Sequence, residues 1–208
     1  KKRRYNAYEL HCSGLEIGYS RLANDFLSFG ASDKMGLDLS KSWEFGFNIL
    51  SVYHNFKKNP HWGINLGVSW GYRSFNIDGN YALLKENGTS IFTAGNEDTS
   101  YNKSRRRHFF FRIPVLMEWQ QRVGRNNVFF NAGPEFEIRH SVKSFSHING
   151  GKKKTVGKGM YVQPVGINLL AQAGYGNIGI YLRYSTYGLF QKDKGPEVSP
   201  YSFGVAWY

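Results

Sequence analysis

Apolar residues fall at every second position in eight segments of this chain, and they never run together for the roughly 20 residues that a membrane helix needs. A period of two is the signature of a strand with one greasy face. Trp43, Phe45, Phe47 and Ile49 alternate with Glu44, Gly46 and Asn48. Ile64 to Tyr72 alternate with Gly63 to Arg73, and Phe109 to Trp119 with Phe110, Arg112, Leu116 and Glu118. Val128, Phe130, Ala132, Phe136 and Ile138 oppose Asn131, Gly133, Glu135, Glu137 and Arg139, while Ile178 to Tyr184 oppose Gly179, Tyr181 and Arg183. Tyr201, Phe203, Val205 and Trp207 close the series, and weaker segments start at Leu15 and Val165. A helical membrane protein is excluded, and an all-β chain is predicted. With 24 glycines and 17% aromatics, the composition suits strands and tight turns. The mean hydropathy of -0.48 does not argue against a membrane, because a barrel hides its apolar face in alternate residues.

The connections alternate in length. Short turns are expected near 57–61, 122–127 and 174–177, and long loops over 24–41, 74–106, 140–159 and 190–200. Outward aromatics recur ten positions apart, from Trp43 to Tyr53, Trp62 to Tyr72 and Phe109 to Trp119. At about 3.3 Å per residue and a tilt of about 40°, such a span covers roughly 25 Å, the apolar band between two aromatic girdles. Tyr201 and Trp207 complete the girdle on the last strand. The expected architecture is therefore an eight-stranded antiparallel transmembrane up-and-down β-barrel over residues 14–208, with short periplasmic turns and long extracellular loops. Residues 1–13 precede it as a periplasmic segment. A soluble barrel with its greasy face inward is the competing reading, but it has no need of an opposite face so rich in glycine and charge.

That opposite face carries Glu16, Glu44, Glu118, Glu135 and Glu137 with Arg73, Arg112, Arg139 and Arg183, five acids against four bases. A barrel of about eight strands has an interior only wide enough for its own side chains. The charges are expected to pair with one another, helped by Phe110, Phe129 and Tyr181, as a plug rather than a selectivity ring. The surplus of +12 then lies elsewhere. Arg105, Arg106 and Arg107 end one long loop, and Lys152, Lys153 and Lys154 lie in another, placed to meet the phosphates of outer-membrane lipid, including lipopolysaccharide. A nucleic-acid partner is not expected, because the basic runs are scattered and no nucleic-acid motif accompanies them.

Catalysis has one candidate, His140-Ser141, near the outer leaflet. Neighbours along a strand point to opposite faces, so the pair is poorly placed to act as base and nucleophile on lipid A. The other histidines show no metal-ligand spacing, and neither metal nor cofactor is expected. Cys12 follows a bulky His11 and no apolar run, which argues against a lipid anchor. A single cysteine also forbids an internal disulfide. By strict alternation Tyr208 points inward, so one further outward aromatic is expected beyond it in the natural chain.

Phe111-Arg112-Ile113-Pro114-Val115-Leu116-Met117-Glu118 on one strand and Asn131-Ala132-Gly133-Pro134-Glu135-Phe136 on the next resemble the outer-membrane β-barrel domains of Bacteroidota described as PorT-like. The resemblance implies location and architecture and supplies no catalytic residue. Members of that family include subunits of secretion and assembly machines. The expectation is thus a non-catalytic accessory subunit with outer-membrane or periplasmic protein partners. The alternatives are a free-standing barrel whose loops bind lipid or ligand, and a lipid A hydrolase.

Overall fold

The computed structural model describes residues 11–25, 29, 42–59, 61–77 and 79–208. Its strands are β1 (Leu15–Ala23), β2 (Trp43–Asn55), β3 (Trp62–Ile77), β4 (Tyr81–Glu86), β5 (Thr89–Ala94), β6 (Tyr101–Val123), β7 (Asn126–Ile148), β8 (Lys153–Lys158), β9 (Val165–Tyr175), β10 (Ile178–Ser185) and β11 (Ser199–Trp207). Among the described residues, eight of these pair antiparallel in the order β6-β3-β2-β1-β11-β10-β9-β7, and the β6–β7 pairing closes the ring. Closure leaves no open edge in the wall, so the ladders pair backbone groups around the whole ring. All eight segments read from the alternation are strands of this ring.

Local chemistry sets the turns. At the short-turn end Gly124 (φ 65°) and Gly176 (φ 59°) supply the left-handed residue of two-residue hairpin turns between β6 and β7 and between β9 and β10. At the other end the long loops are not irregular throughout. The β6–β7 hairpin continues to Tyr101 and Ile148, β8 adds to its outer part, and β4–β5 forms a separate hairpin. Asn87-Gly88 and Asn149-Gly150 turn these hairpins, with all four residues left-handed. Expected loops 74–106 and 140–159 are therefore partly strand. Loop 24–41 lies largely outside the described residues.

The outward face is apolar as the alternation predicts. Register places Tyr72 opposite Phe109 at one end of the wall and Trp62 opposite Trp119 at the other, so two aromatic levels frame the band on β3 and β6. Trp43 packs against Tyr72 at 5.3 Å between ring centres, and Trp207 is exposed.

Two girdle residues lie elsewhere. The β2–β3 register shifts between Asn48 and Leu50, where Asn48 Oδ1 accepts the Leu50 amide at 3.1 Å. A bulge of this kind reverses the parity of everything after it. Ile49 and Leu50 are both exposed, Val52 takes the outer face, and Tyr53 turns inward, where its hydroxyl accepts Gln120 Nε2 at 3.0 Å. Tyr201 keeps its parity but is covered. It packs with Ala23 and Tyr184, is only 3% exposed, and donates its hydroxyl to the Phe29 carbonyl at 2.6 Å.

Candidate functional site

Inside the ring, side chains fill the space. Glu16, Glu44, Glu118, Glu135 and Glu137 and Arg73, Arg112, Arg139 and Arg183 all point inward and are buried. Glu44 is the hub. Its Oε2 accepts from Arg73 Nη2 at 2.6 Å and Arg112 Nη2 at 2.9 Å, and its Oε1 accepts from Arg183 Nη1 at 2.6 Å and the Tyr181 hydroxyl at 2.9 Å. Arg183 reaches two further carboxylates, Glu135 at 2.6 Å and Glu16 at 2.8 Å. Arg112 reaches Glu137 at 2.8 Å, and Arg139 meets the same carboxylate at 2.6 Å. Each ion would cost several kcal/mol to desolvate alone, so only mutual pairing makes this interior tolerable. Asn168 donates to Glu135 and Glu137, at 2.9 and 3.2 Å. Phe110 lies beneath the guanidinium of Arg112, 3.6 Å from its ring centre, and opposite Gly71, where a side chain would collide with the ring.

Among the described residues, side chains pack across both ends of the lumen. At the short-turn end residues 11–13 run into the lumen. His11 is buried, its Nδ1 lies 2.7 Å from Glu118, and its ring stacks on Phe129 at 4.1 Å. Its carbonyl accepts from Asn131 at 2.8 Å, and Tyr208 packs edge-on against Phe129. At the long-loop end Leu22, Phe75, Ile77, Leu83, Met160, Val162, Leu189, Phe190 and Val198 form an apolar cap. Backbone bonds tie its parts together: Ser90 to Lys194 at 2.7 Å, Leu189 to Val198 at 2.8 Å, and Gln191 to Tyr161 at 2.8 Å. Tyr187 sits just below the cap, and burial pushes its hydroxyl pKa up.

The six basic loop residues separate. Arg105, Lys152, Lys153 and Lys154 are exposed. Arg107 is half-buried, its guanidinium 4.2 Å from the Phe145 ring, which Lys153 also approaches at 4.4 Å. Arg106 does not face lipid phosphate. It is 2% exposed on the inner face, over the ring of Phe75, because β6 continues as a strand above Phe109 and keeps the parity of Phe110 and Arg112. Extending that alternation from Phe110 by two further inward positions, through His108, would have found it. With Arg106 the interior holds five acids and five arginines among the described residues. His11 had no such signal, since it precedes the first strand.

His140 and Ser141 are both exposed. The His140 ring lies between those of Phe109 and Phe111, at 5.8 and 5.4 Å, and Ser141 adopts φ 51° at the irregularity where β7 leaves the wall. No hydrogen bond joins the two side chains. Among the described residues no group of three or more His, Cys, Asp or Glu is arranged to hold a metal.

No curated protein matches the sequence. Among solved structures, the attachment invasion locus protein Ail of Yersinia pestis, crystallised with the heparin analogue sucrose octasulfate, is similar at 13% identity. That likeness covers 94% of this chain and 96% of that one, with a TM-score of 0.35. The model of the outer membrane protein β-barrel domain matches residues 13–192, so the chain belongs to that family and its barrel resides in the cell outer membrane.

Proposed function

We propose that this barrel neither conducts nor catalyses, and that it serves as a structural or accessory subunit of a larger outer-membrane assembly of the PorT-like kind found in Bacteroidota. The observation that carries the reading is the interior: a lumen packed with paired charges and closed at both ends leaves only the outer wall, the turns and the ordered cap to do work. A wall without open edges anchors such a subunit, and the periplasmic turns carry Lys57, Lys58, Arg122 and Arg125 toward partners or inner-leaflet phosphates. Gentle detergent extraction followed by native mass measurement is the test. A stoichiometric protein partner is expected, and a lone monomer under all mild conditions would contradict it.

A second reading, a free-standing barrel whose loops bind lipid or ligand, is favoured by one feature, the polar recess at the outer rim described below. An enzymatic role has less support, because the imidazole of His140 lies among aromatic rings rather than against a nucleophile. Replacing His140 or Ser141 with Ala is expected to leave the mass of host lipid A unchanged. Loss of a deacylated species in either variant would revive the hydrolase.

A further inference from the structure

We propose that the recess between the outer end of β7, hairpin β4–β5 and the loops after β8 and β10 binds a phosphate group. The inference rests on the view that this barrel works through its outer surfaces. The recess has a volume of about 360 Å³, and Lys85, Arg139, His140, Ser141, Tyr161 and Gln191 supply its polar lining. No carboxylate lines it among the described residues.

Glu118 lies at the opposite end of the lumen against His11, so positive charge is locally in excess behind the recess. Arg139 is buried. Its Nε donates to Glu137 and its Nη1 to the Gln163 carbonyl at 3.4 Å, but its Nη2 has no partner. Deeper in, Arg106 meets no carboxylate, and its Nε and Nη1 are also unpartnered. The carboxylate on this side, Glu137, is already shared by Arg73, Arg112 and Arg139. Guanidinium groups do not escape burial by losing a proton. Water can satisfy an N–H, but it cannot offset a cation.

At the mouth, Lys85 Nζ lies 4.3 Å from the centre of the Tyr161 ring, and Lys194 Nζ lies 5.6 Å from it. Two ammonium groups on one ring repel unless an anion joins them. Part of the surrounding backbone is held in a costly conformation, with the non-glycine residues Met160, Tyr161 and Ser141 at φ 53°, 44° and 51°. Strain of this kind persists where surrounding structure fixes it, often around ligands. The aromatic stack of His140 with Phe109 and Phe111 sets the mouth at the outer girdle, the depth of lipid headgroups. A phosphate there would accept from Lys85 in the lining and Lys194 beside the Tyr161 ring, with the buried Arg139 and Arg106 adding positive field from behind, and it would come from a lipid headgroup or from solution.

The test uses the full chain folded in neutral detergent. Inorganic phosphate is titrated at constant ionic strength against gluconate while the urea midpoint is followed. In parallel, native mass measurement compares retention of phosphatidic acid with that of phosphatidylcholine. Protection by phosphate together with retention of phosphatidic acid supports the site for either source. Retention of phosphatidic acid alone assigns it to lipid headgroups, and protection by phosphate alone assigns it to a soluble ligand. In each supporting case the double change Lys85→Gln and Lys194→Gln weakens binding by about tenfold or more without lowering the midpoint in gluconate. The proposal is overturned if neither probe binds, or if the double variant binds as the wild type does. Because neither readout depends on conductance or on a protein partner, failure here is separable from failure of the functional reading.

Discussion

Replacing Glu44 with Gln is expected to lower the stability of the folded barrel by about 3–5 kcal/mol, the range for removing one partner from a buried ion network. The substitution keeps the shape and removes the charge on which Arg73, Arg112 and Arg183 converge, at 2.6, 2.9 and 2.6 Å. Three guanidinium groups would then depend on Glu16, Glu135 and Glu137, which are already engaged. Urea unfolding of the protein in phospholipid vesicles, read by tryptophan fluorescence, measures the loss. A second change, Arg112→Met, restores the balance of acids and bases. Combined with Glu44→Gln it is expected to recover part of the deficit, giving a favourable coupling in a double-mutant cycle. A loss below about 1 kcal/mol for Glu44→Gln would mean that water, rather than pairing, supports the interior charges.

This network was legible in the alternation because each of these inward charges lies within a wall strand, where lipid on one side and packing on the other leave a single workable parity. Glu44, Arg112 and Arg183 come from strands far apart in the chain, yet period two alone puts them on one face. What alternation could not show was where its own phase breaks. Asn48 bonds to the backbone two residues on and forces the bulge that turns Tyr53 inward, and a short polar side chain in a strand does not announce this. Tyr201 has the expected parity, but its surroundings depend on Phe29, which is distant in sequence and carries no periodic signal.

The cap was partly readable. Asn87-Gly88 and Asn149-Gly150 are strong two-residue hairpin signals inside stretches that otherwise read as loop. What hid β4, β5 and β8 is that above the membrane both faces of a strand meet protein or water, so apolar residues need not alternate. The recess was still less accessible to sequence reading, since Lys85, Arg139 and Tyr161 come together only after the cap has folded.

The central claim is that the lumen is closed, and planar-bilayer recording tests it most directly. Folded protein, with insertion verified separately by protease protection, should leave the membrane at its baseline current across both polarities. On this account the charge network fills the lumen between the cap above it and His11 with Tyr208 below it. Stable, ion-selective openings in most insertions would contradict the account, because they would require the paired arginines and glutamates to line a pore instead of filling it.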